Sequence, residues 1–311
     1  MSFLRYANND KGLGIVLTPP HITELFADLA QVNDRSVVWD SCCGTGGFLI
    51  SAMKRMVAAS QGDSETVKRV KTTQLFGTEV QDDIYALAIS NMILQGDGKS
   101  GIVLGSCFDD AERVRRHKPN VALLNPPYKA SAQDIEELEF VIWSADNLEP
   151  GGTCIAIIPI SCVLASEGPN LELKKRLMSK HTVEAVMSMP EELFFNSDVG
   201  AITCTIVLKA HQPHPRDKKT WLGYWRDDGF VKVKGKGRID AYHRWATIKQ
   251  AWLGRYLSRD TDGKHAVSAI LAVEGKWCAE AYMTTDYSSL TEKAFQDELR
   301  KYLAYRVSEG V

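Results

Sequence analysis

The chain reads as an α/β protein built on a doubly wound, mostly parallel sheet of seven strands, with an antiparallel last strand and a C-terminal extension. Three observations predict it. From residue 36 to residue 180 short apolar runs alternate with stretches of helical periodicity, the pattern of successive βαβ units. The last two apolar runs have no helix between them, so an antiparallel hairpin connects them more cheaply than a crossover. Past residue 209 the composition changes, and His211, Pro213, His214 and Pro215 mark the boundary. The domains expected are therefore 1–209, a catalytic body, and 210–311, a basic, Trp-rich extension ending in a helix.

Thr18-Pro19-Pro20 precedes apolar residues at helical spacing, Ile22, Leu25, Phe26 and Leu29, and reads as a helix entry. Strands follow at 36–40, 74–80, 102–105, 121–125, 154–160, 182–189 and 202–209. Helices fall at 47–59, 82–95, 133–147 and 171–180. Near the end, Phe295, Leu299, Tyr302 and Leu303 share one face of a last helix. No internal repeat or low-complexity tract is present.

With 44% hydrophobic and 24% charged residues over 311 positions, the chain can bury one large core or two smaller ones, and disorder is not its main character. The net charge of −2 argues, taken alone, against an obligate nucleic-acid binder. The average conceals a segregation: residues 209–259 carry 13 basic and 4 acidic groups, while 1–208 carry 18 and 26. No apolar run reaches the ~20 residues of a membrane helix, and no charged-then-apolar start suggests a signal peptide, so a cytoplasmic protein without a membrane partner is expected. Seven cysteines form no C-x-x-C pair and no zinc-spaced cluster with histidine, which predicts reduced, buried thiols and no metal site.

Chemistry concentrates at the ends of strands. Asp40-Ser41-Cys42-Cys43-Gly44-Thr45-Gly46-Gly47 lies where the first strand turns into a helix, and small residues there let backbone approach a ligand. A tight turn that merely needs glycine would look similar. The spacing is not the G-x-G-x-x-G of a dinucleotide site. The second strand ends in Gly77-Thr78-Glu79-Val80, which puts a carboxylate at the neighbouring tip, where it can accept hydrogen bonds from both hydroxyls of a ribose.

At the fourth strand Val121-Ala122-Leu123-Leu124 runs into Asn125-Pro126-Pro127-Tyr128. The prolines end the strand, fix the backbone and remove two N–H donors. Asn125 offers an amide oxygen, Pro126 a carbonyl and Tyr128 a flat face. Two acceptors and a stacking ring suit a planar amine, whose nitrogen lone pair is then free to face an electrophile.

Taken together, the strand-one loop and Asn125-Pro126-Pro127-Tyr128 resemble the S-adenosylmethionine loop and catalytic tetrapeptide of adenine-N6 DNA methyltransferases. Gly14-Ile15-Val16-Leu17-Thr18-Pro19, followed by the first helix and then Asp40 through Leu49, extends the resemblance to the methylase (modification) subunits of type I restriction-modification systems and their fused relatives. It covers residues 12–209. It implies a Rossmann-like S-adenosylmethionine-dependent methyltransferase fold and transfer of a methyl group to N6 of a flipped adenine.

The resemblance also implies roles. Thr18 and Pro19 would close over the methionine part of the cofactor, with Asp40, Cys43, Gly44 and Gly46 lining it and Glu79 on the ribose. Ser106 or Asp109 would reach the cofactor's adenine. Asn125, Pro126, Pro127 and Tyr128 would hold the target base, and Phe194 or Phe195 would supply a second aromatic face. DNA is the implied partner, with a specificity subunit or fused recognition domain and a restriction subunit beside it. Only 17 residues precede Thr18, where such subunits carry a helical domain, so a catalytic fragment, a shortened product and a compact variant are all compatible with the sequence.

Two other functions share these motifs: methylation of a protein glutamine amide or an RNA base amino group, and an inactive methylase-like binding module. The basic block contributes Lys232, Lys234, Lys236 and Arg238, interleaved with Trp221, Tyr224, Trp225 and Phe230, as candidate contacts to the DNA backbone.

Overall fold

The structure, a computed structural model, describes residues 16–96, 101–197, 200–284 and 291–308. Gly14 and Ile15 of the resemblance lie outside the described residues. Helix α1 (Pro20–Leu29) opens on a proline, whose missing N–H costs nothing in a first turn, and buries Ile22, Leu25, Phe26 and Leu29. The alternation then proceeds through β1 (Val38–Asp40), α2 (Gly47–Ala59), α3 (Ser64–Thr73), β2 (Leu75–Glu79), α4 (Asp82–Leu94), β3 (Gly101–Leu104), α5 (Ala111–His117) and β4 (Val121–Leu124). It continues with α6 (Glu137–Asp146), β5 (Thr153–Pro159), α7 (Ser161–Leu164), α8 (Gly168–Lys180), β6 (Thr182–Ser188) and β7 (Thr203–Lys209).

Helices α3 and α5 were not expected from the sequence. Each buries a single side chain, Val70 and Val114, so neither carries an apolar stripe to betray it. Helix α6 starts four residues later than expected: one carboxylate oxygen of Asp134 accepts the N–H groups of Ala130 and Ser131 at 2.9 and 2.8 Å and holds that stretch in a turn.

Beyond β7 come β8 (Lys219–Tyr224), the hairpin β9 (Val231–Val233) and β10 (Gly237–Ile239), helix α9 (Trp245–Ser258), β11 (Ala266–Ile270) and α10 (Glu292–Ser308). The main sheet has nine strands among the described residues, in the order β11-β8-β6-β7-β5-β4-β1-β2-β3. Strand β7 lies antiparallel between β5 and β6, as its short connection predicts. The seven strands expected are all present, but the sheet does not end near residue 209. Strand β8 adds parallel to β6, and β11 pairs antiparallel with β8. Their pairing partners lie far away along the chain, and a change of composition carries no record of them.

Two apolar layers cover the sheet. On one side α1, α2 and α9 close over Val38, Leu123, Ile155 and Ala185. On the other Leu138, Val141, Leu177 and Trp277 pack on Ala122, Ala156 and Val186. The tryptophans of the basic stretch belong to the first layer. Trp225 stacks flat on Trp252 at 4.8 Å, Trp245 and Trp221 meet that pair edge-on, and all four are buried. Trp221 and Trp225 are therefore core pillars and offer no face to a nucleic acid. All seven cysteines are free, six of them buried and Cys42 half-buried.

Candidate active site

The loops that follow β1, β2, β3 and β4 meet at one edge of the sheet around a cavity of about 340 Å³. The turn after β1 is shaped by Gly44 and Gly46, whose φ angles of +53° and +83° lie in the left-handed region open to glycine. Gly46 caps α2. At β2, a Cβ on Gly77 would stand 2.9 Å from Cβ of Cys43, so only glycine lets the loop settle onto the strand.

Glu79 ties the two loops together. One carboxylate oxygen accepts the N–H of Gly44 and the other that of Gln81, both at 2.9 Å. Each oxygen keeps a further lone pair for a ligand hydroxyl. Asp40 is fully buried and does not line the cavity. Its Oδ1 accepts the Cys42 N–H at 3.2 Å, its Oδ2 has no partner among the described residues, and burial, with the nearby Glu79 charge adding to it, pushes its pKa well above the usual carboxylate range. Asp40 thus organises the turn from below.

Of the other residues expected to meet a cofactor, Thr18, Cys43, Gly44, Glu79 and Ser106 line the cavity; Pro19, Gly46 and Asp109 do not. The Pro19 carbonyl accepts the N–H groups of Ile22 and Thr23 and so starts α1. Asp109 is exposed at the end of a short 3-10 turn that the Ser106 hydroxyl caps by accepting the Phe108 N–H. The sequence reading missed Val80, Ile84, Phe108 and Phe48, which form the apolar walls. Val80 stands 66% exposed immediately after Glu79, a solvated valine at a strand tip, and that position was the signal available.

Asn125, Pro126 and Pro127 complete the rim. The Asn125 amide nitrogen donates to the Val16 carbonyl at 3.2 Å and the Thr18 hydroxyl at 3.0 Å, which fixes the orientation of the amide. Its Oδ1 is buried and has no partner among the described residues. A buried acceptor left unmade costs about 1–3 kcal/mol, so the site holds an acceptor that a ligand donor can satisfy.

Tyr128 lies in a second, adjoining cavity of about 670 Å³ that shares Val16 and Pro127 with the first. Phe194 packs edge-on against its ring at 6.0 Å and is buried, whereas Phe195 is 41% exposed beneath the ammonium of Lys232. Phe194 therefore props the tyrosine and Phe195 faces outward. Burial also pushes the Tyr128 hydroxyl well above the ordinary phenol range, so it remains protonated.

A profile of the family described as N-6 DNA Methylase matches residues 2–269. The chain belongs to that family. It is similar to the type II restriction enzyme and methyltransferase RM.BcgI of Heyndrickxia coagulans, 37% identical over 243 residues, which cover 76% of this chain and 38% of that protein. It also resembles the type I restriction enzyme MpnII methylase subunit of Mycoplasma pneumoniae, 27% identical over 75% of this chain and 47% of the subunit. The chain thus spans less than half the length of these curated relatives. Among solved structures, a type I R-M system assembly superposes with a TM-score of 0.71 at 20% identity, over 99% of this chain and 68% of that chain, a likeness of fold. No helix among the described residues is long and apolar enough to cross a membrane.

The candidate DNA contacts divide. Arg238 is inside: both its terminal nitrogens bind the fully buried Asp228, which also accepts a hydrogen bond from His21 of α1. Burial alone would raise the Asp228 pKa; the bonds from His21 and Arg238 outweigh it and hold it below the ordinary value. Arg238 is therefore a fastener of the β9-β10 hairpin and has no free guanidinium for a phosphate. Lys232 pairs with Glu192. Lys234 and Lys236, at the hairpin tip, are exposed.

Proposed function

We propose that this methylase transfers a methyl group from S-adenosylmethionine to N6 of an adenine in DNA, as the modification component of a restriction-modification system. The buried, unpartnered Oδ1 of Asn125 on the cavity rim carries this reading. The cavity fits the cofactor: its volume lies within the ~300–1,000 Å³ range of small-molecule sites, the Glu79 carboxylate suits the ribose hydroxyls, and Val80 and Phe108 supply apolar walls for a flat base. Thr18, Cys43, Gly44 and Ser106 would complete the contacts.

Asn125 Oδ1 accepts one N6 hydrogen and the Pro126 carbonyl the other, so the nitrogen lone pair turns toward the cavity. Tyr128, backed by Phe194, stacks on the extruded base, a contact worth roughly 1–3 kcal/mol against an unpairing cost of a few. Bound S-adenosylmethionine supplies a methyl group on a sulfonium, a good leaving group. As the N–C bond forms and the C–S bond breaks, positive charge grows on N6, and the two acceptors stabilise it until a proton is lost to solvent. A separate specificity subunit or recognition domain and a restriction subunit are the partners that the relatives suggest.

The test is methyl transfer from labelled cofactor to adenine-containing DNA, with RNA and a glutamine-bearing protein as the competing acceptors. N125A is expected to lower transfer by about 100-fold or more because the acceptor to N6 is lost, with a smaller, few-fold loss of cofactor affinity because the hydrogen bonds to Val16 and Thr18 go with it. Preferential labelling of RNA or protein, or full activity in N125A, would overturn the assignment.

A further inference from the structure

The segment that follows the tetrapeptide is held by an acidic pair that the chemistry above does not use. Glu136 and Glu137 stand at the start of α6, beside the cavity that Tyr128 lines. Glu137 is 4% exposed, yet no lysine or arginine pairs with it among the described residues. Its Oε1 accepts the backbone N–H of Lys129 at 2.7 Å, and its Oε2 accepts the Cys162 thiol at 3.4 Å. The cation nearest to hand, the Lys129 ammonium, goes to Glu136, which also accepts from the Asn170 amide at 2.9 Å.

Burying a carboxylate is costly unless hydrogen bonds repay it, so a buried one whose bonds are a backbone amide and a weakly donating thiol marks a place where backbone position matters. Pro126 and Pro127 leave no N–H to anchor the turn from within. The Lys129 N–H is the first amide beyond Tyr128 available to hold it. The opening of α6 suits an anion there, because its unpaired N–H groups carry partial positive charge.

We propose that Glu137 is a positioning residue for methyl transfer: by clamping the Lys129 amide it sets where Tyr128 presents its ring to the target base. This rests on the reaction proposed above. The clamp acts through an acceptor at a fixed reach, which separates it from a role of the negative charge as such. Gln keeps an oxygen at that reach without the charge; Asp keeps the charge but withdraws it by one methylene.

The experiment measures kcat, KM for DNA, cofactor affinity by calorimetry and hydrogen exchange of the 125–130 backbone in the parent, E137Q and E137D. Misplacing a reacting group by about 1 Å costs on the order of 100-fold, so E137D is expected to lose about 10- to 100-fold in kcat, with faster exchange at Lys129 and cofactor affinity unchanged. E137Q is expected to stay within about threefold of the parent with exchange protection kept. E137D more active than E137Q, or parallel loss of kcat and cofactor affinity, would overturn the clamp. Exchange reads the clamp without any substrate, so a chain that methylates no DNA, alone or with a specificity partner, would refute the proposed reaction and still leave the exchange pattern to decide the clamp.

Discussion

The loops at the carboxyl ends of β1, β2 and β4 turn their distinctive groups toward a cavity, whereas the segment from 219 to 258 turns its own inward. In the loops, Glu79, which accepts the Gly44 N–H, and Asn125 each spend one set of hydrogen bonds on shape and keep acceptor capacity for a ligand. In the later segment Trp221, Trp225, Trp245 and Trp252 fill one another's surfaces and Arg238 is consumed by Asp228. Aromatic and basic residues in close succession fit a nucleic-acid surface and a packed layer equally well. What separates them is whether the groups already have partners.

The largest expected effect that would break this contrast lies in the tryptophan layer. W225A should cost about 3–5 kcal/mol of stability in urea unfolding, because the stacked Trp252 and the edge-on Trp221 lose their common neighbour. A loss of DNA affinity at unchanged stability would instead restore Trp225 to the binding surface. R238Q comes next, at about 3 kcal/mol, since it leaves a buried carboxylate without its guanidinium, held only by His21 and the Phe230 N–H. A weaker effect sharpens the comparison at the hairpin tip. The double change K234Q and K236Q should leave unfolding unaltered but weaken DNA binding and lower the slope of log affinity against log salt by about 2, one for each phosphate contact. An unchanged slope would remove the hairpin from the interface.

An effect read through pH concerns Lys174, whose ammonium is buried against the Trp277 ring and donates to the carbonyls of Ala165 and Gly275 at 2.9 and 2.7 Å. Burial lowers its pKa from 10.5 to about 8. Between those values the unfolded chain holds more protons at this position than the folded one, so its contribution to stability rises with pH across that window. Below about pH 8 both states are protonated and the contribution is flat. K174M should abolish the rise in urea midpoint between pH 8 and 10, and an unchanged profile would place the titration elsewhere.

Much of the site was legible because its parts are consecutive. A strand, a glycine turn and a helix start within ten residues, and Asn125-Pro126-Pro127-Tyr128 fixes its own backbone, so each reads as one local pattern. The errors share a cause as well. Asp40 and Asp109 have the right residue type at a strand end, but burial of the first and outward orientation of the second depend on neighbours brought from other strands. Telling Phe194, buried behind Tyr128, from the exposed Phe195 needed the position of that tyrosine, and Glu137 could not be singled out among the acids of 134–139 without the Lys129 amide it meets.

By itself the sequence determined the alternation of strands and helices, the glycine turn, the acidic strand tip and the proline-locked tetrapeptide, since local backbone preferences and apolar periodicity act over a few residues. Only the tertiary structure decided that β8 and β11 join the sheet, that the tryptophans are core, and that Arg238 is paired while the Asn125 oxygen is not. Those outcomes depend on which distant groups meet, and an acceptor's availability is a property of its surroundings rather than of its residue type.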